Sequence, residues 1–459
     1  LFGDGIGGDD VGGTTPLDDV LIVSAANVTA EGAFDAASLD VTATGTVQFA
    51  GALTVTDGTT LAIDAGTVDL DGNVNTNGAA VDLDATTAVD LATGLTLDTT
   101  SSTAGGAVAI DVSGMGTVNL VGDVVTTGAA SASDGVAAGA GGAVAITTAN
   151  GAINVAGIDT QGGAHTGSLV TDDGAVAGAI TLDANSDNTI TLLGGSLLAV
   201  GGTSANGTAG NGALISFLGS ADDTAVVELA GAATVDSGPG GGVLFDGMLD
   251  GDGGGPHSLD LLADGANIDF DVAVGGTNPL GAVTIDAATN VTVDSTFDAA
   301  SLVQSAGDGT TTLSGAITTT GAVAVSNSAV TLDGVLDASG SVDLTASGGA
   351  LAVTATIDAA DDVVLVGDSV NIGADVTTDS GLATTGSISA TANVGSVTVN
   401  ALLTTGDATA GDSGVDDTID SGGITLNAQT SISGNGQLTT GDAAITGGNS
   451  AGTDVATSG

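Results

Sequence analysis

Apolar and polar residues alternate along this chain in short bursts. Val68-Asp69-Leu70-Asp71, Val81-Asp82-Leu83-Asp84, Leu95-Thr96-Leu97-Asp98 and Val342-Asp343-Leu344-Thr345 place apolar residues on one parity and Asp or Thr on the other. That is the period-2 pattern of a strand buried on one face. Gly, Asn, Asp or Ser-Gly steps close each burst, as turns do. No segment has a helical period, and the Gly, Thr and Val content disfavours helices. The pattern predicts an all-β chain.

The bursts repeat at three scales. Val323 aligns with Val342 after 19 residues and then with Val364 after 22, a rung of about 19–22 residues. Gly106-Ala107-Val108-Ala109-Ile110 returns as Gly142-Ala143-Val144-Ala145-Ile146 and as Gly178-Ala179-Ile180, both steps being 36, and Gly212-Ala213-Leu214-Ile215 follows 34 later. Gly386-Ser387-Ile388 and Gly422-Gly423-Ile424 share the 36-residue step. The added length lies in Gly/Ala/Ser stretches such as Ala129 to Gly141, read as loops leaving one side of a coil. At an offset of 263, Gly12-Gly13-Thr14-Thr15-Pro16-Leu17 matches Gly275-Gly276-Thr277-Asn278-Pro279-Leu280, and Phe34-Asp35-Ala36-Ala37-Ser38-Leu39 matches Phe297-Asp298-Ala299-Ala300-Ser301-Leu302. The chain therefore divides into a first super-repeat, 1–263, and a second, incomplete one, 264–459.

Rungs of this size hold two or three short strands that stack in parallel, about 4.8 Å apart, around a column of Val, Ile, Leu and Ala. The expected fold is a right-handed parallel β-helix, a β-solenoid. Propellers and sandwich rows need repeats of about 40–100 residues with aromatic signatures, which are missing.

Composition narrows the function. Fifty-five acids face no Lys or Arg, for a formal charge of −55, and there is no Cys, Trp or Tyr. Without basic residues the chain is expected to bind neither nucleic acid nor anionic lipid. No apolar run is long enough for membrane insertion. The lack of Lys and Arg reads either as drift in a repeat array or as protection from trypsin-type proteases outside the cell. Leu1 opens in mid-pattern with no initiating Met and no signal peptide, so the chain is read as part of something longer.

The 19–22-residue rungs, the Gly-Ala-Val-Ala-Ile and Val-Asp-Leu-Asp strands and the Gly-Gly-Thr-x-Pro-Leu segments resemble filamentous-haemagglutinin-type and autotransporter-type β-strand-repeat surface proteins. The resemblance implies a β-helix exported across a Gram-negative outer membrane to the bacterial cell surface, where it serves as stalk or adhesin. It also implies self-association into fibres or continuation of a longer chain, with a surface or glycan as target. The absence of basic residues departs from the glycan- and heparin-contacting members.

The only concentrated chemistry is Asp: Asp9-Asp10, Asp172-Asp173, Asp222-Asp223, Asp246 with Asp250 and Asp252, Asp361-Asp362 and Asp416-Asp417. These read either as solvated turns or as Ca²⁺ sites, since Ca²⁺ takes six to eight oxygens. Asp246, Asp250, Asp252, Asp9 and Asp10 are the Ca²⁺ candidates, though no segment matches an EF-hand or the Gly-Gly-x-Gly-x-Asp repeat. Outward Asp residues on adjacent rungs repel by about 0.8 kcal/mol per pair in water, so raised carboxyl pKa values are expected from repulsion. His165 and His257 are expected to be solvated loop residues. Phe34 and Phe297 are expected to be core plugs. Asn27, Asn206 and Asn290 head Asn-x-Ser/Thr sequons. No catalytic constellation appears, so the expected function is a non-catalytic structural or adhesive extracellular fibre. An ice- or mineral-surface binder is the alternative prompted by Thr86-Thr87, Thr310-Thr311-Thr312 and Thr318-Thr319-Thr320, although these runs are scattered. A polysaccharide-active β-helix enzyme is a more remote alternative.

Overall fold

The computed structural model describes residues 10–13, 15–185, 188–219, 225–378, 386–411, 418–420, 422–441, 443–446 and 455–457. Two compact units, Leu1–Ala266 and Asn267–Gly459, are distinguished by their internal contacts. No described residue is helical, and the described strand pairs are all parallel. The fold is a β-solenoid.

Each rung of the first unit contributes one strand to each of three ladders. One ladder stacks Val81, Val108, Val144, Ile180, Ile215 and Val243 in register. A second stacks Val89, Val118, Ile153, Ile190, Val227 and Leu249. The third stacks Leu97, Val124, Ile158, Leu197, Val235 and Leu261. All eighteen of these side chains are buried, so the alternation in the sequence becomes an inward column on each of three sides. The described phenylalanines, including Phe34 and Phe297, are also buried. Phe217 and Phe245, on successive rungs, stack with centroids 4.8 Å apart.

The second unit repeats the scheme. Val283, Leu302, Val323, Val342, Val363, Ile388 and Ile424 form one stack. Phe297, Ile317, Leu336, Ile357, Val376, Leu403 and Leu438 form another. Its core also holds a polar cluster, in which Thr311 donates to Gln304 Oε1 at 2.6 Å and accepts from Asn327 Nδ2 at 3.0 Å.

Two alignments read from sequence are off by one residue. Val342 pairs with Val363, not with Val364. Ile180 pairs with Ile215, which leaves Leu214 outward and 47% exposed. Because side chains alternate between faces, a one-residue slip would have turned these strands inside out.

The 263-residue offset reappears in the backbone. Val11 bridges to Phe34, and Val274 bridges to Phe297. Gly12 and Gly275 have φ of +92° and +69°. A Cβ at Gly12 would lie 2.2 Å from Asp35 O, and one at Gly275 would lie 2.0 Å from Asp298 O. Both positions therefore require glycine for conformation and for space.

Candidate functional site

In the first unit, the extra residues of the long rungs leave at one corner, between the third ladder and the first. A buried hydroxyl closes the base of every such loop but the one after Ala199. Thr76 Oγ1 donates to Ala79 O, Thr99 to Gly106 O, Thr126 to Gly142 O, Thr160 to Gly178 O and Ser237 Oγ to Gly241 O, at 2.5–2.7 Å. These residues follow the third strand of successive rungs, with Ala199 taking the corresponding place before Ser237. Just before most of them stands Asn or Asp, whose carbonyl or carboxyl oxygen accepts the N–H two residues on: Asn75 from Asn77, Asp98 from Thr100, Asp159 from Gln161 and Asp236 from Gly238. The pair turns the chain outward and ties it back. The second unit has the same closure at Thr378 and Thr405, which donate to Gly386 O and Gly422 O. The Asx-Thr/Ser pair at Asn75-Thr76, Asp98-Thr99, Asp159-Thr160 and Asp236-Ser237 was the sequence signal for this closure.

Beyond the closures, three loops stack on one another. Gly139 N donates to Ala129 O, Gly163 N to Gly139 O, Ala175 N to Gly163 O, Gly202 N to Ala175 O and Gly210 N to Gly202 O. Each outgoing segment also bonds to its counterpart on the next rung, as Gly128 N does to Gln161 O and Gly162 N to Val200 O. The backbones therefore meet neighbours on more than two sides, as a flat sheet does not. Side chains would prevent this, since a Cβ on Gly139 would lie 1.5 Å from Thr103 O and one on Gly163 would lie 1.9 Å from Ala129 O.

At the outer end of the stack, His165 bridges to Ser131 below and Ser204 above. It is 1% exposed, contrary to the expectation of a solvated loop histidine. Gly167 N donates to His165 Nδ1 at 2.9 Å, so Nε2 carries the proton that reaches Val136 O at 2.7 Å. Both ring nitrogens are thus committed to holding two loops together, a structural role. Asp172, 4% exposed, accepts from Gly135 N and Leu169 N. Asp134 accepts from the N–H and hydroxyl of Ser168, which hold its carboxyl below the usual range. Around these residues lies a depression of about 570 Å³, lined by Val136, Ala138, His165, Thr171, Asp172 and Val176 among others.

The Ca²⁺ candidates are dispersed. Asp9, Asp222-Asp223 and Asp416-Asp417 lie outside the described residues. Asp10 accepts the N–H of Ala33. Asp246 sits in the corner after Val243–Phe245. Asp250 is buried in the second ladder opposite Glu228, while Asp252 accepts from Gly254 N and lies 3.3 Å from His257 Nε2. Burial first, then the charges of Asp252 and Asp250, push the Glu228 carboxyl up. Among the described residues no three His, Asp or Glu converge so as to hold a metal ion.

Elsewhere the acids form outward ladders. Asp64, Asp84 and Asp111 stack on successive rungs beside a groove of about 320 Å³. Burial raises the Asp84 carboxyl, and Asp82, Asp111 and Asp64 add to the shift. Repulsion was the expected cause of raised values, yet burial leads at Asp69, Asp84, Asp159, Asp183, Glu228 and Asp236. Amides explain part of the difference on the second ladder. There Gln48 donates to Asp69, Asn119 to Asp90 and Asn154 to Asn119, at 2.6–3.0 Å. Sequon asparagines serve similarly: Asn27 and Asn290 accept from Thr46 N and Thr310 N, and Asn206 donates to Gly167 O.

One face of the second unit has outward rows free of acid. Thr292, Thr312, Thr331, Ala352, Asn371, Thr398 and Ser433 form one row. The Thr310–Thr312 run splits across this face, with Thr311 inside and its neighbours outside.

No protein-family model matches the chain, no curated protein matches it, and no solved structure matches it.

Proposed function

We propose that this chain is a stretch of a non-catalytic extracellular fibre of the filamentous-haemagglutinin or autotransporter kind, with the rungs as stalk and the corner loops as adhesive surface. The observation that carries the reading is the unbroken register of three ladders in each unit, with the longest loops of the first unit gathered on one corner. Such a repeat gains length without a new core, because each rung buries its apolar face on its neighbours. Outward carboxylates keep the ladders soluble and apart, and cations, Ca²⁺ included, screen them. Immunogold labelling of intact producing cells with antibody against the chain is expected to decorate the exterior. Label that appears only after permeabilisation would overturn the reading.

A second reading, binding to ice or a mineral surface, is favoured by the acid-free Thr row of the second unit. Regular, short, uncharged side chains are what a flat lattice can meet. Thermal hysteresis abolished by Thr331→Asp would establish it, and its absence in the unaltered chain would exclude ice.

A further inference from the structure

We propose that the depression at the outer end of the loop stack binds an extended peptide segment carrying both aliphatic and basic side chains. The inference rests on the reading of the corner loops as the adhesive part of the fibre. Its walls are aliphatic: Val136 and Ala138 come from one loop, Ala175 and Val176 from the next. Val136 is 56% and Val176 50% exposed, and Leu169 and Val170, adjoining the lining residue Thr171, are 45% and 79% exposed. Most large apolar side chains among the described residues fill the inward columns. Val136 and Val176, exposed on neighbouring loops and facing the same depression, give it an aliphatic contact surface of the kind that marks interaction sites.

The polar end of the depression selects the partner's charge. Asp172 and Asp173 both line it. The Asp172 carboxylate is buried yet bonded only to the neutral amides of Gly135 and Leu169 among its described partners. Asp173 is exposed and accepts from Thr208 N. The chain contains no Lys or Arg, so the basic group must come from outside. The same fact argues against these 459 residues of a second copy as the occupant, because they hold no Lys or Arg to offer. A glycan is disfavoured because sugars are held on aromatic faces, and the chain has no Tyr or Trp while its described Phe residues are buried. Nucleic acids and acyl carboxylates would meet the two aspartates with like charge. A peptide with aliphatic residues beside Lys or Arg matches both the walls and the charged end.

The test uses the full 459-residue chain and fluorescence anisotropy with labelled decapeptides of alternating Val/Lys, Ser/Lys and Val/Glu. Each is measured at about 0.15 M NaCl, where exposed charges are largely screened beyond about 8 Å. The Val/Lys peptide is expected to bind best. Val136→Ser with Val176→Ser should weaken it by about tenfold, in keeping with removal of aliphatic contact from two side chains. Control substitutions Val335→Ser and Val394→Ser, both exposed in the second unit, should leave it unchanged. The substituted sites are at the surface, so melting curves should match the parent. Three results would overturn the proposal: no binding by the parent chain, equal binding by the loop variant, or equal binding of the Val/Glu peptide. None of these would disturb the fibre reading, which stands or falls on the surface labelling.

Discussion

Replacing Thr126 by Val tests whether the buried hydroxyls hold the loops to the solenoid. Thr126 is 0% exposed, and its Oγ1 donates to Gly142 O at 2.5 Å, while Gly142 N donates to Thr126 O at 2.7 Å. Valine keeps the shape and the backbone bond but removes the hydroxyl. Losing a buried hydrogen bond and stranding its acceptor costs about 1–3 kcal/mol. Because each rung contacts mainly its neighbours, the loss should appear as local opening of the loop rather than as a shift of one global transition. At about 1.4 kcal/mol per decade, the slow-exchanging amides of residues 128–142 should lose protection by about 5- to 100-fold. Amides of the second unit should be unchanged. The assay is native-state hydrogen exchange resolved by peptide mass spectrometry. Ala199 supplies a natural contrast, since it occupies the same place without a hydroxyl, leaving Ala213 N to Ala199 O at 2.9 Å. Ala199→Ser should raise protection across residues 200–212. If Thr126→Val leaves residues 128–142 protected to within twofold, the hydroxyls are passengers of the fold.

Two further substitutions probe register and charge. Val363→Asp places a carboxylate in the core, at a position 0% exposed, and should cost at least about 3 kcal/mol; Val364→Asp, outward between Asp343 and Ser389, should cost less than about 1 kcal/mol. Thermal melts that reverse this order would restore the 22-residue alignment. For Asp84, burial and then Asp82, Asp111 and Asp64 raise the folded-state carboxyl above the usual aspartate range. The folded chain thus keeps a proton that the unfolded chain has released, so this contribution is full below about pH 4 and is lost as pH rises through the raised value. Asp84→Asn should therefore melt higher than the parent at pH 7, with the gap closing toward pH 3 in circular-dichroism melts; a gap independent of pH would refute the linkage. For cations, CaCl₂ and NaCl at equal ionic strength should raise the melting temperature of the parent alike if screening alone acts, and an excess for CaCl₂ that saturates would locate a metal site.

The sequence by itself determined the fold class. Val81-Asp82-Leu83-Asp84 announces its buried face by alternation, and the 36-residue steps from Val108 to Val144 and on to Ile180 survive as strand pairs. Burial of Phe34 and Phe297 was legible for the same reason, because matching segments at a fixed offset must fill matching places. What alternation cannot fix is which of two adjacent apolar residues faces inward. Val363 and Val364, or Leu214 and Ile215, are chemically interchangeable, and hydrogen bonds to the previous rung decide between them. The site was less legible still. Thr126 and Thr312 look alike in sequence, yet one is a buried clamp and the other lies on an outer face, since a threonine's role depends on the corner it reaches. His165 reads as an isolated loop residue until the loops above and below supply its partners. Asp246, Asp250 and Asp252 are neighbours in sequence, but strand and corner geometry send them to different surroundings. Local pattern sets which side chains can be buried; only the stacking of one rung on the next sets which of them meet.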